Sequence, residues 1–217
     1  MRKYLELFIN GFDDTLAKRK AIENYPFVGH DALTGEVVYT EIPVYSFIYY
    51  TTTDNTIITP DTSAGDYPMS PDGSLVNILS NEYKNDSGII KYDGIFYEIP
   101  REYFYLSNIT SITLPDHITE LGYGAFAQCS FIESIVLPKN VITIGSHAFS
   151  FCDSLKSITI PKSMKFIYES AFRHCSNLNS IIFKGTIEEW NTIDKGTEWN
   201  LNVPATYVQC SDGQVAL

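Results

Sequence analysis

One phrase recurs at a fixed interval of 23 residues: Ser111-Ile-Thr-Leu-Pro115, Ser134-Ile-Val-Leu-Pro138 and Ser157-Ile-Thr-Ile-Pro161. Each copy closes on the same signature, Ala125-Phe126 with Cys129, then Ala148-Phe149 with Cys152, then Ala171-Phe172 with Cys175. A constant period of this length admits few folds. One unit is too short to enclose a core, so its apolar residues leave water only by stacking on the next unit, and the chain must form a solenoid.

The chemistry inside a unit follows from alternation. Ile112 and Leu114 point inward and Thr113 outward along a short strand, which Pro115 ends because proline brings no N–H to a ladder. Ile118 and Leu121 make a second extended piece, Gly122 turns the chain, and Ala125-Phe126 opens a helical turn whose ring fills the core. The spacing predicts one inward column of Ile112, Ile135, Ile158 and Ile181, and a second of Phe126, Phe149 and Phe172. Ile90, Tyr92, Phe96, Ile99 and Phe104 match Ile112, Leu114, Ile118, Leu121 and Phe126 at an offset of 22, so a worn first unit is expected from residue 89. Ser180-Ile-Ile-Phe183 begins a fourth unit that departs at Lys184-Gly185. Glu188-Glu189-Trp190 through Trp199 then reads as a cap over the open end of the stack. Phe166-Ile167-Tyr168 stands where the other units carry glycine and is expected to bend the stack locally.

Upstream of the repeats the pattern changes. Leu5, Phe8, Ile9, Phe12 and Leu16 lie on one face at helical spacing within residues 1–26, and Pro26 stops the helix. Phe27 to His30 and Glu36 to Thr40 read as two strands around a glycine-containing turn. Val44 to Thr52 and Thr56 to Thr59, joined at Asp54-Asn55, read as a second hairpin. Residues 60–73 form a loop on composition. The expected order is therefore a helical and β docking segment over 1–44, a hairpin leader and N-terminal cap over 45–88, a right-handed solenoid over 89–183, and a C-terminal cap over 184–217. The helical stripe packs on the protein's own core or docks on another subunit.

Composition narrows the function. The net charge of −11 argues against nucleic acid, because phosphate binding needs a clustered basic surface. The one dense basic run, Lys18-Arg19-Lys20, is flanked by acids and reads as a solvated helix end. The opening residues carry no sustained apolar stretch, so neither a secretory signal nor a membrane span is expected. Cys129, Cys152 and Cys175 share one repeat phase, which stacks them roughly 5 Å apart with parallel Cβ vectors, poor geometry for a disulfide. They read as buried free thiols, and no metal-ligand spacing is present; Cys210 lies outside the register. His30, His117, His147 and His174 do not converge by phase. No Walker loop, nucleophile elbow or dinucleotide fingerprint occurs.

The Ser-Ile-x-Leu/Ile-Pro strand, the Leu121-Gly122 and Ile144-Gly145 pairs and the Ala-Phe-x-x-Cys turn resemble the leucine-rich repeats of the BspA type. The tail with Glu189-Trp190 and Lys195-Gly196 is similar to that family's closing segment, and Tyr49 to Asp54, Ile58 to Pro60 and Leu79 to Tyr83 are similar to its leader. The resemblance implies a leucine-rich-repeat solenoid, adhesion or partner binding, no catalysis and no cofactor. Surface-displayed members carry a signal peptide, whereas repeats of this kind also occur in structural proteins of phages of gut bacteria. The expected function is a virion surface or assembly component located in the virion or the producing cell's cytoplasm. The alternative is a bacterial cell-surface adhesin or an intracellular interaction module. Expected partners are other virion proteins or a host surface protein or glycan, with neither nucleic acid nor membrane insertion. The outward ladder Thr113, Val136, Thr159 and Ile182, edged by Glu133, Lys156 and Asn179, is the expected binding face; plain solvation is the competing reading. Leu5, Phe8, Ile9, Phe12 and Leu16 are the expected assembly surface, including self-association. Deleting residues 1–26 should abolish oligomer formation or particle attachment while the repeats keep their cooperative unfolding by circular dichroism. Unfolded repeats after the deletion would place the stripe in the protein's own core.

Overall fold

The computed structural model describes residues 27–30, 37–40, 45–63 and 65–217. The stripe of Leu5, Phe8, Ile9, Phe12 and Leu16 lies outside the described residues. Two units divide the chain, Met1–Tyr45 and Ser46–Leu217. In the first, β1 (Phe27–His30) and β2 (Val37–Thr40) pair antiparallel, with Phe27 opposite Thr40 and His30 opposite Val37.

The second unit opens with β3 (Ser46–Thr52), β4 (Ile78–Lys84) and β5 (Ser87–Tyr92). Asn85 and Asp86 both hold positive φ, the two-residue loop whose twist suits a tight hairpin, and β4 and β5 pair antiparallel across it. β3 lies between β5 and β7 (Ile109–Thr113), antiparallel to both. Two sequence expectations are corrected here. Residues 56–59 form no strand, and the segment is held by side chains: the Ile58 N–H donates to the Tyr50 hydroxyl, and the Asn81 amide donates to the Ile58 carbonyl. Ile90 and Tyr92 are buried as the repeat spacing predicts, but their strand does not stack on β7, because β3 is interposed. Gly88 is required in β5 because the Tyr50 ring occupies the space a Cβ would need, at 2.1 Å.

From there the chain coils. The strands β6 (Glu98–Ile99), β8 (Glu120–Leu121), β10 (Thr143–Ile144), β12 (Phe166–Ile167) and β14 (Asp194–Lys195) form one parallel ladder. A second parallel ladder holds β9 (Ser134–Val136), β11 (Ser157–Ile160), β13 (Ser180–Phe183) and β15 (Tyr207–Cys210), with β16 (Gly213–Ala216) antiparallel at its end. Ile135, Ile158, Ile181 and Val208 stand in direct register and are all buried. Ile112 is buried too, but on β7, which no ladder joins to β9. The pairing of β3 with β7 shifts register between Thr51 and Thr52, leaving Thr110 as the extra residue on β7; such a bulge strengthens local twist.

The Ala-Phe turn is not an α-helix. Two residues four apart take left-handed φ in every coil: Glu102 and Leu106, Gly124 and Gln128, His147 and Phe151, Ser170 and His174, Glu198 and Asn202. Only Gly124 among them is glycine, and each of the others costs roughly 1–2 kcal/mol of backbone strain. The geometry is held because it turns alternate peptide groups toward the next coil. His147, Phe149 and Phe151 donate their N–H groups to the carbonyls of Glu169, Ala171 and Arg173 at 2.8–3.1 Å, and each neighbouring coil repeats the arrangement. Phe104, Phe126, Phe149 and Phe172 stack with ring centroids 5.2, 5.3 and 5.4 Å apart, and Trp199 closes the column edge-on at 6.0 Å. The cysteines have a partner as well as a place. Sγ of Cys129, Cys152 and Cys175 donates to the carbonyl of Phe104, Phe126 and Phe149, respectively, at 2.9–3.1 Å. Burial pushes the Cys129 thiol up to about 12 and the Cys152 thiol well above its ordinary value, so neither is a nucleophile at neutral pH.

Tyr168 does not break the stack: its N–H donates to the Ile144 carbonyl at 2.9 Å, and β12 keeps register with both neighbours. At the equivalent Gly145 a Cβ would meet the Leu121 carbonyl at 2.6 Å. The C-terminal closure inserts α1 (Ile187–Asn191) between β13 and β14. Thr186 and Glu189 form a reciprocal capping box, the Glu189 N–H donating to Thr186 Oγ1 at 3.2 Å and the Thr186 N–H to Glu189 Oε2 at 2.9 Å. Trp190 then packs on Phe183 at 5.4 Å and on Trp199 at 6.0 Å. Replacing Phe149 by Ala removes the middle ring of the column and should cost about 3–5 kcal/mol in denaturant unfolding. A loss below about 1 kcal/mol would mean that the stacked rings do not support the fold.

Candidate binding face

Alternation along the strands puts one row of side chains on the outer face. On the parallel ladder the row is Val136, Thr159, Ile182 and Gln209, each registered with the next. On the antiparallel sheet the equivalent row is Glu82, Ile89, Tyr49 and Thr113. Of the expected face, Val136, Thr159 and Ile182 therefore stand together, while Thr113 belongs to the neighbouring sheet beside Tyr49. Val136 is 69% exposed, Tyr49 46% and Ile89 39%, whereas Thr159 and Ile182 are half-buried. Phe47 stacks beside Tyr49 at 6.4 Å. Tyr49 and Ile89 escaped the repeat-based reading because they come from outside the periodic segment; their signal was the alternation of Phe47, Tyr49 and Thr51 against buried Ile48, Tyr50 and Thr52.

The predicted edge satisfies itself. Lys156 Nζ pairs with Glu133 at 2.9 Å, and the Asn179 amide donates to the Asn177 carbonyl at 2.7 Å. A different border exists at the other ends of the strands. There a groove of about 640 Å³ runs across the coils, lined by Val136, Pro138, Lys139, Pro161, Lys162 and Lys184 among others.

A second concavity, about 590 Å³, lies beside the other ladder between Asp66, Tyr67 and Met69 and the pair Tyr97 and Glu98, with Glu120 on its wall. Glu98 and Glu120 are registered neighbours on β6 and β8. Partial desolvation, with Glu120 and Asp66 nearby, holds the Glu98 carboxyl above its ordinary range. A carboxyl raised on folding favours the folded state while it is protonated, and that advantage is lost as pH rises through its folded value. Glu98→Gln should therefore unfold at higher denaturant than the parent at pH 7, with the difference vanishing below about pH 4, the ordinary range of a glutamate. A gap that persists in acid would mean that charge is not its cause.

His117 packs edge-on to Phe96 and lies 3.0 Å from the Ser46 hydroxyl, His147 Nδ1 lies 3.1 Å from Ser150 Oγ, and His174 stacks on Phe151. Among the described residues no cluster of three His, Cys, Asp or Glu side chains could hold a metal. Among the same residues no helix is long and apolar enough to cross a membrane.

A family model described as BspA type leucine rich repeat region matches residues 97–196 in six copies. No curated protein matches the chain. Among solved structures, a leucine rich cell surface protein from Faecalibacterium prausnitzii A2-165 is 32% identical over 36% of this chain, with a TM-score of 0.33. The match spans 23% of that protein's length. The parallel coils and the stacked phenylalanine turns coincide with the matched residues 97–196, so this segment is a solenoid of repeats similar to the BspA type.

Proposed function

We propose that the chain is a non-catalytic binding protein whose outer strand face engages a protein or glycan surface. The observation that carries this reading is the outward row on each of the two sheets, with apolar Ile89 and Tyr49 exposed on one and Val136 on the other. Exposed apolar side chains gathered on a rigid sheet mark an interaction surface more often than scattered ones do. A flat face suits a macromolecular partner, because small ligands prefer enclosed concavities. Repeats of the BspA type are a non-enzymatic kind of protein, which supports binding over catalysis.

The setting we infer is the surface or assembly interface of a virion, with residues 1–26 as the attachment segment; a cell-surface adhesin is the competing setting. Co-sedimentation of the native chain with virus particles supports the first, and a chain never found with particles rejects it. The binding face is tested independently of the setting. Full-length chain carrying Val136→Glu or Tyr49→Ala should lose binding on a matrix-protein and glycan array while its stability stays within about 0.5 kcal/mol of the parent. Unchanged binding by both variants would reduce the face to solvated surface.

A further inference from the structure

The groove at the C-terminal ends of the strands departs from the charge of the rest of the molecule. The chain carries 26 acidic side chains against 15 Lys and Arg, yet Lys139, Lys162 and Lys184 line this one groove. Lys139 and Lys162 share a repeat phase, and Lys184 stands one place earlier in its coil, in the phase of Pro138 and Pro161; all three lie just past their strands, on successive coils at the ordinary strand spacing. Asp116 pairs with Lys139 at 3.0 Å and Glu189 approaches Lys162 at 3.8 Å, all four side chains being exposed. Solvent-exposed pairs of that kind contribute little net stability, so an incoming carboxylate displaces them at little cost. Among the described residues Lys184 forms no ion pair.

The floor is of another character. Val136, Pro138 and Pro161 are apolar, and Ser134 and Thr159 add hydroxyls. The Leu137 N–H donates to Thr159 on β11; by alternation the peptide groups of Ser134 and Val136 point the other way, toward β7, with which β9 forms no ladder. An extended polypeptide meets both features at once, since its successive side chains point in opposite directions. Its acidic side chains reach the lysine rim and its apolar ones rest on the floor.

We infer that this groove receives an extended acidic segment of a partner polypeptide, with its carboxylates on Lys139, Lys162 and Lys184. The inference rests on the outer face being a binding face and names the chemistry of its partner. The test is fluorescence anisotropy of the full chain with a fluorescein-labelled octapeptide of glutamate alternating with glycine and valine, its glutamine counterpart serving as control. Saturable binding is expected for the acidic peptide alone. It should weaken roughly tenfold in the Lys139→Gln/Lys162→Gln/Lys184→Gln variant, more weakly in Lys184→Gln, and with added salt. Equal binding of the glutamine control, or no effect of the triple substitution in a chain that keeps its melting transition, overturns the inference. Lysine-dependent binding of polygalacturonate without binding of the peptide also overturns it, in favour of an acidic glycan. If Val136→Glu abolishes array binding while the acidic peptide fails to bind the parent, this inference falls and the binding face stands.

Discussion

No coil of this protein satisfies its own backbone. The strands of 2–4 residues in the two parallel ladders place their N–H and C=O groups at right angles to the coil, and the left-handed turns do the same through Phe126, Phe149 and Phe172. From β9 onward each coil is thus completed by its neighbours at three points around its circumference. A buried peptide group left unpaired costs as much as a lost hydrogen bond, so coil formation and coil stacking are one event. The side chains follow the same rule. A phenylalanine ring finds its neighbours only above and below, and a cysteine thiol finds its acceptor only in the coil beneath.

A structure completed by neighbours is incomplete at its ends, and the two ends are closed differently. At the N-terminal side β3 runs antiparallel along β7 and brings β5 and β4 with it, replacing a repeat strand by a hairpin-built sheet. At the C-terminal side the ladder gains β15 and then an antiparallel β16, while Trp190 and Trp199 cover the phenylalanine column. The Lys195 ammonium sits 4.8 Å over the Trp190 ring and donates to the carbonyls of Trp190 and Ile193; its burial pulls its pKa down. Against β3, β7 carries one extra residue, Thr110, and β7 and β9 form no ladder. The outer face therefore consists of two rows, one on each sheet.

The outer face is built from strands. Its side chains are short hydroxyls, aliphatics and tyrosine on rigid strands, and its charges lie at the rims. Burial raises the Cys129 and Cys152 thiols well above their ordinary range, and His117, His147 and His174 are engaged singly with serine, asparagine or aromatic neighbours. The period of the coils sets the interval at which equivalent groups recur along the face.

The 23-residue period by itself determined the solenoid, the inward isoleucine column, the phenylalanine stack and the phase of the cysteines, because each is a consequence of repeating one local pattern against itself. Val136, Thr159 and Ile182 were legible for the same reason, alternation within a repeated strand being visible in a single copy. The capping box at Thr186 and Glu189 and the Asn85-Asp86 loop were also written locally, as capping and turn signals outside the period, where the eye following the repeat does not look. What only the tertiary structure decided was non-periodic and long-range: that β3 enters between β5 and β7, that Tyr49 and Ile89 extend the outer row, that Tyr168 fits where glycine was expected, and that the ladder opens beside Val136. Pairing of that kind is settled by which strand reaches an unsatisfied edge first with the right twist, and no spacing along the chain encodes it.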